Sequence, residues 1–233
     1  MTEYAERKRR FISAVLVMLV VASAMFTNGD MWQQSVKPKN DRVTSGGPVL
    51  ATLNELDIKG RAPKTDYDRE KFGNGWSSTE GCDTRNIILN RDLTEVVSSE
   101  DCHISSGILK DPYTGENIQF RRGTGTSSDV QIDHVVALSD AWQKGAQLLS
   151  AKQREAFAND PLELLAVDGP ANQQKSGSDA ASWLPSNKKF RCQYVARQIA
   201  VKARYGLWVT QAEYDVMLGV LHRCPNQALP ISR

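Results

Sequence analysis

With 233 residues and a formal net charge of +2, the chain carries no global charge signal for a polyanionic partner. Its four cysteines lack any Cys-x-x-Cys spacing, which argues against a structural zinc site. No internal repeat is visible.

Residues 1–26 read as a targeting segment. Arg7, Lys8, Arg9 and Arg10 give a positive start, residues 11–26 are almost unbroken apolar sequence, and Ala22-Ser23-Ala24 supplies a small-x-small cleavage pattern. An apolar run of about 16 residues is short for a membrane span. The segment is a cleaved secretory signal or an uncleaved N-terminal anchor. Both carry the rest of the chain out of the cytoplasm, and neither implies a lasting membrane role beyond the segment itself. Residues 27–50, containing Lys37-Pro38-Lys39 and Gly46-Gly47-Pro48 with little apolar periodicity, read as a flexible tether. Residues 51–233 suffice for one domain with its own core.

Within that domain, residues 87–97 mix apolar and charged positions and suit either a strand or a short helix. Asp111-Pro112-Tyr113-Thr114-Gly115 is a turn: Asp accepts hydrogen bonds at the first position, Pro sets the next φ and Gly closes it. It joins two strands, the second over residues 117–121, followed by a loop over 123–128 and a strand over 130–136. Ser139 is placed to cap a helix reaching Leu149, and Ser150-Ala151-Lys152-Gln153 is a capping box for another. Residues 162–167 form a compact apolar run suited to a buried strand. Residues 186–205 are the longest helix candidate, with Phe190, Tyr194 and Val201 near one face, Lys189, Gln193, Arg197 and Arg204 along another, and Gly206 as the stop. A capping box from Thr210 to Glu213 opens the final helix, which buries Tyr214, Met217, Leu218 and Leu221. The class is α+β, a small antiparallel sheet with flanking C-terminal helices.

In an oxidising compartment an even cysteine count suggests two disulfides, with three connectivities open. Cys82–Cys102 and Cys192–Cys224 are favoured because each pair brackets one compact segment. Each bridge stabilises by about 3 kcal/mol through the unfolded chain. Charge is unevenly placed. Residues 169–209 hold seven basic residues against Asp179 alone, whereas residues 51–103 hold eleven acidic against seven basic. A polyanion is drawn to the C-terminal part, unless that face is simply solvated helix.

Ile132-Asp133-His134-Val135-Val136, followed by Asn172-Gln173-Gln174-Lys175, carries the chemistry. A His can deprotonate a water, an Asp can hold a hard divalent cation, and an Asn can complete its oxygen shell. Placed on the elements above, the motifs give strand, helical insertion, strand and short helix. That order resembles the ββα-metal core of HNH endonucleases, over about 45 residues at motif level by the strand-then-helix reading. The Asp-His…Asn-x-x-Lys pattern is similar to the HNH domain of the RNA-guided CRISPR nuclease. A wider stretch looks like secreted actinobacterial HNH-family proteins, on Gly60-Arg61-Ala62-Pro63, Cys82-Asp83-Thr84-Arg85-Asn86, the Asp111–Gly115 turn and Leu164-Leu165-Ala166-Val167-Asp168-Gly169. It also looks related to the cleavage half of modification-dependent restriction enzymes.

The resemblance implies His134 as general base and Asp133 and Asn172 as ligands of a divalent metal, Mg²⁺ or Mn²⁺. It implies Lys175 as a point charge on phosphate, with Arg121, Arg122, Lys188, Lys189 and Arg197 along the nucleic acid. Two positions depart from the family pattern. Ala137 stands where a His-x-x-Pro motif has Pro, and Glu163 stands where an Asn braces the loop holding the base. Glu163 either adds a metal-facing carboxylate or weakens the positioning of the base.

The expected protein is an exported, monomeric, metal-dependent endonuclease acting on DNA, with RNA as a further substrate. The rival readings are a polyanion-binding surface protein that keeps the fold without turnover, and a wall hydrolase, for which neither a zinc cluster nor paired carboxylates are evident. His103 and His222 read as ordinary packed or surface residues, Asp83 and Arg85 as a structural salt bridge, and Trp76, Trp142, Trp183 and Trp208 as core. Base stacking on Trp183 is the lesser reading for that residue.

Overall fold

A computed structural model describes residues 49–99, 101–123 and 127–230; the expected targeting segment and nearly all of the tether lie outside the described residues. Helix α1 (Val49–Glu55) begins two residues inside the expected tether, because Val49 and Leu53 face the main core. A 3₁₀ turn over Arg69–Phe72 follows, capped by the Asp68 carboxylate and burying Phe72.

A two-residue ribbon, β1 (Ser78–Thr79) with β2 (Cys82–Asp83), leads into α2 (Thr84–Asp92). Asp83 caps α2 by accepting the Asn86 N–H. The stretch that suits helix or strand turns out to be both in succession. The chain is helical to Asp92 and then, where Thr94, Val96 and Val97 bring β-branched side chains, extends as β3 (Leu93–Ser98). β3, β4 (Ile104–Lys110) and β5 (Asn117–Arg121) form an antiparallel meander. The β4–β5 turn is the one read from sequence: Asp111 Oδ2 accepts the Thr114 N–H and hydroxyl, each at 2.6 Å.

β6 (Val130–His134) pairs antiparallel with β7 (Leu164–Asp168), so the expected single sheet is three small ones. Between these strands lie α3 (Leu138–Gln143), a 3₁₀ turn over Ala146–Leu148, and α4 (Ala151–Ala158). Ser139 does not cap α3, which starts one residue earlier; the capping box at Ser150 and Gln153 is present. α5 (Gly169–Lys175) leaves β7 directly, with Asp168 accepting the Ala171 N–H. Only glycine fits at its first position, since a Cβ on Gly169 would lie 2.2 Å from the Ser128 carbonyl oxygen.

α6 (Arg191–Tyr205) begins later than expected because Ser186 and Asn187 bind the β4–β5 turn instead. The Ser186 hydroxyl donates to the Tyr113 carbonyl and the Asn187 amide to the Pro112 carbonyl, both at 3.1 Å. α7 (Gln211–Leu221) is capped by Thr210. The disulfides are Cys82–Cys102 and Cys192–Cys224, the favoured pairing, and the second ties α6 to the chain just past α7. Among the described residues no helix is long and apolar enough to cross a membrane.

The β6–β7 ribbon divides two cores. Val130, Ile132, Leu164 and Ala166 face a cluster with Ile88, Leu89 and Phe120, while Leu165 and Val167 face the main core around Tyr194 and α6. Inside the main core Lys144 is fully buried, its ammonium 2.8 Å from Asp140, 2.7 Å from Asp179 and 2.6 Å from Glu213. Lys202 and Arg61 close this network. Burial opposes ionisation of Asp179, but the Lys144 ammonium holds its carboxyl well below the usual range.

Candidate active site

Adjacent residues on a strand point to opposite faces, and that alternation separates Asp133 from His134. His134 shares its face with Ile132 and looks past Leu164 to Trp76, whose ring stacks on the imidazole at 5.7 Å with 12° between planes. The imidazole Nε2 lies 3.0 Å from the Ala158 carbonyl oxygen at the end of α4. A carbonyl only accepts, so Nε2 carries the hydrogen and Nδ1 keeps the lone pair. Burial pushes the imidazole down to about 3, and the positive charge of Arg69 adds to the shift. The ring is therefore neutral at neutral pH, with one nitrogen anchored and the other able to accept a proton.

A cavity of about 130 Å³ opens beside this ring. The segment from Arg69 to Trp76 lines it through Arg69, Phe72, Gly73, Gly75 and Trp76, together with His134, Leu138 and Ala158.

Asp133 and Lys175 meet on the opposite face, against α5, while Asn172 engages Gln131. Lys175 is fully buried; its ammonium lies 2.9 Å from Asp133 Oδ1 and 2.8 Å from the His134 carbonyl oxygen. The Tyr113 hydroxyl donates to the other Asp133 oxygen. Asn172 donates its amide to Gln131 Oε1 at 2.9 Å. Burial raises the Asp133 carboxyl and the Lys175 charge opposes it. A divalent ion needs several open oxygens, and here both Asp133 oxygens are engaged. Among the described residues no group of three or more His, Cys, Asp or Glu is arranged to hold a metal. The expected ligand pair therefore does not fit a cation in this arrangement, and Lys175 is a counter-ion to Asp133 and not a free phosphate contact.

Glu163 settles the open departure in a third way. Its buried carboxyl receives the Val136 N–H, 3.2 Å from each oxygen, and so braces the loop that follows His134. Burial pushes this carboxyl well above the usual range. Gln198 holds the preceding Val135 carbonyl at 2.8 Å. Ala137, at φ −50°, already has the backbone torsion of a proline.

Two expected nucleic-acid contacts are structural instead. Arg122 donates to the Ile104 carbonyl at 2.7 Å and to Asn86 Oδ1 at 2.5 Å, and Arg197 spans the carbonyls of Pro161, Leu162 and Leu164. Arg121 is exposed. Lys188 and Lys189 are exposed beside Lys110 on an open depression. Asp83 serves as a helix cap, and Arg85 binds the Val130 carbonyl at 3.2 Å instead of pairing with it. Sequence reasoning missed Arg69 and Trp76, whose signal was the Gly73-Asn74-Gly75-Trp76 run.

A family model described as "GmrSD restriction endonucleases, C-terminal domain" matches residues 83–220. A fungal protein from Arthroderma benhamiae, named "Uncharacterized secreted protein", is 36% identical over 191 residues, which cover 80% of this chain and 90% of the relative.

Proposed function

We propose, from the premise that the chain belongs to the family of the C-terminal domain of GmrSD restriction endonucleases, that it is an exported endonuclease of the HNH type that hydrolyses phosphodiester bonds in DNA. In this reading β6, β7 and α5 are the ββα core. The observation that carries it is the state of His134: a neutral imidazole, anchored through Nε2–H to the Ala158 carbonyl, beside a cavity. Nδ1 takes a proton from a water, the water oxygen bonds to phosphorus, and the opposite P–O ester bond breaks, its oxygen taking a proton from solvent. An imidazole held this low is a weak base on its own. An anionic phosphate in the cavity offsets the Arg69 charge and favours the imidazolium that forms.

The implied Mg²⁺ or Mn²⁺ has no ready cage at Asp133, and taking one up there requires Lys175 to leave. Chelation with EDTA is therefore a test of rearrangement as much as of chemistry. Export is supported by the two disulfides and by the name of the fungal relative. The polyanion-binding reading draws on the mutual neutralisation of Asp133 and Lys175. His134→Ala decides between them: the nuclease reading expects DNA binding to persist and cleavage to vanish, and cleavage at the wild-type rate contradicts it.

A further inference from the structure

We infer that Arg69 is the residue that grips the phosphate being cleaved, and that the Arg69–Trp76 segment is the substrate-side wall of the site. The inference rests on the nuclease reading of His134. It places an essential part of the site outside residues 83–220, the stretch that matches the family model.

Arg69 lines the same cavity as His134, and its charge is felt by the imidazole. Among the described residues it makes no ion pair or hydrogen bond through its guanidinium, although it follows Asp68 and precedes Glu70. Asp68 is turned to its capping bond with the Glu70 N–H at 3.0 Å. The neighbouring cations are committed. Lys71 lies over the Trp142 ring, as does Arg154, whose Nε also donates to the Lys71 carbonyl at 2.8 Å. An exposed, unpartnered guanidinium beside a neutral proton acceptor suits a phosphodiester, whose two free oxygens it can bind as a fork.

The rest of the wall fits that ligand. Gly73 and Gly75 have φ of 104° and 113°, which side chains rarely adopt, and nothing lies within 4 Å of where a Gly75 Cβ would stand. At Gly75 the wall is thus bare backbone open to a passing chain of sugar and phosphate, whereas a Cβ on Gly73 would meet the Glu155 side chain at 3.1 Å. The cavity of about 130 Å³ opens to solvent and has room for a phosphate group beside the imidazole. The segment is fixed at both ends, by Arg154 on the Lys71 carbonyl and by the Ser77 N–H on Asn159 Oδ1 at 2.9 Å. Trp76 between these anchors holds the imidazole plane.

The test compares the disulfide-bonded chain with Arg69→Gln, Arg69→Lys and, as a surface-charge control outside the site, Arg223→Gln, an exposed residue past α7. The probes are plasmid for kcat and KM, and a short fluorescein-labelled single-stranded DNA for affinity, measured in a His134→Ala background. Arg69→Gln should lower kcat/KM by about 10- to 100-fold, the loss of one charge-assisted phosphate contact, with an unchanged melting temperature. Arg69→Lys should recover part of that loss, because the charge returns without the fork, and Arg223→Gln should change little. Wild-type cleavage with kcat/KM unchanged in Arg69→Gln overturns the inference and leaves the nuclease reading standing. If the wild type cuts nothing, the nuclease reading fails by itself. The affinity arm then decides for Arg69: a drop in oligonucleotide affinity upholds the anion grip, and equal affinity overturns it.

Discussion

Replacing Glu163 by Gln and by Ala separates a brace from a charge. The side chain is fully buried, and among the described residues its hydrogen bonds come from the Val136 N–H alone, at 3.2 Å to each oxygen. Burial raises the carboxyl well above its usual range, with Asp133 and Asp160 adding to the shift and Lys175 opposing it. A shift in this direction favours the neutral acid, and glutamine is nearly isosteric with it and keeps an acceptor for Val136. Alanine removes the acceptor and leaves a void. A buried N–H without a partner costs about 1–3 kcal/mol and the cavity about 2 kcal/mol, so about 3–5 kcal/mol is expected in all. The pH dependence has a definite sign. A carboxyl raised in the folded state is most favourable below its unfolded value, and its contribution is lost as pH rises toward the folded one, by at most about 1.4 kcal/mol per unit. Glu163→Gln removes this loss, so the variant should gain on the wild type over the pH range above the ordinary carboxylate value of about 4.3. Urea unfolding of the three proteins across that range reads both effects. Equal destabilisation by Gln and Ala, or a Gln-minus-wild-type difference that is flat with pH, refutes the reasoning.

Ala137→Pro should change stability by less than about 1 kcal/mol in thermal unfolding, because φ there already suits proline. Lys144→Met leaves Asp140, Asp179 and Glu213 facing one another in the core, and urea unfolding should show a loss of about 3–5 kcal/mol. His134 is held neutral in the fold while the unfolded chain gains a proton below about pH 6.5. Its share of stability is therefore lost as pH falls from there toward 3, and His134→Gln should flatten the acid limb of the urea midpoint against pH.

What could be read from sequence was local. The Asp111–Gly115 turn and the Ser150 capping box depend on residues two to four apart and stand as expected, whereas Thr210 caps its helix without the expected box, because the Glu213 carboxylate pairs with Lys144 and Lys202. The disulfide pairing followed from the compactness of the bracketed segments. Depth was not legible. Asn172 and Lys175 share a side of α5, but the ion pair with Asp133 spans 42 residues and turns an apparent surface cation into a buried one. Arg61, Lys144 and Lys202 form a core network only because partners up to 118 residues apart converge. The opposed directions of Asp133 and His134 were implicit in strand alternation. The wall at Arg69 and Trp76 was not, since nothing in the spacing ties that segment to His134.

The central claim is that His134 is a base acting on a phosphodiester, and plasmid cleavage tests it most directly. The disulfide-bonded chain is incubated with supercoiled plasmid in Mg²⁺ or Mn²⁺, beside a sample in EDTA and beside His134→Ala. Nicked or linear plasmid from the wild type, and intact plasmid from a folded His134→Ala, is the result expected. Intact plasmid in every lane, or equal cutting by His134→Ala, contradicts it.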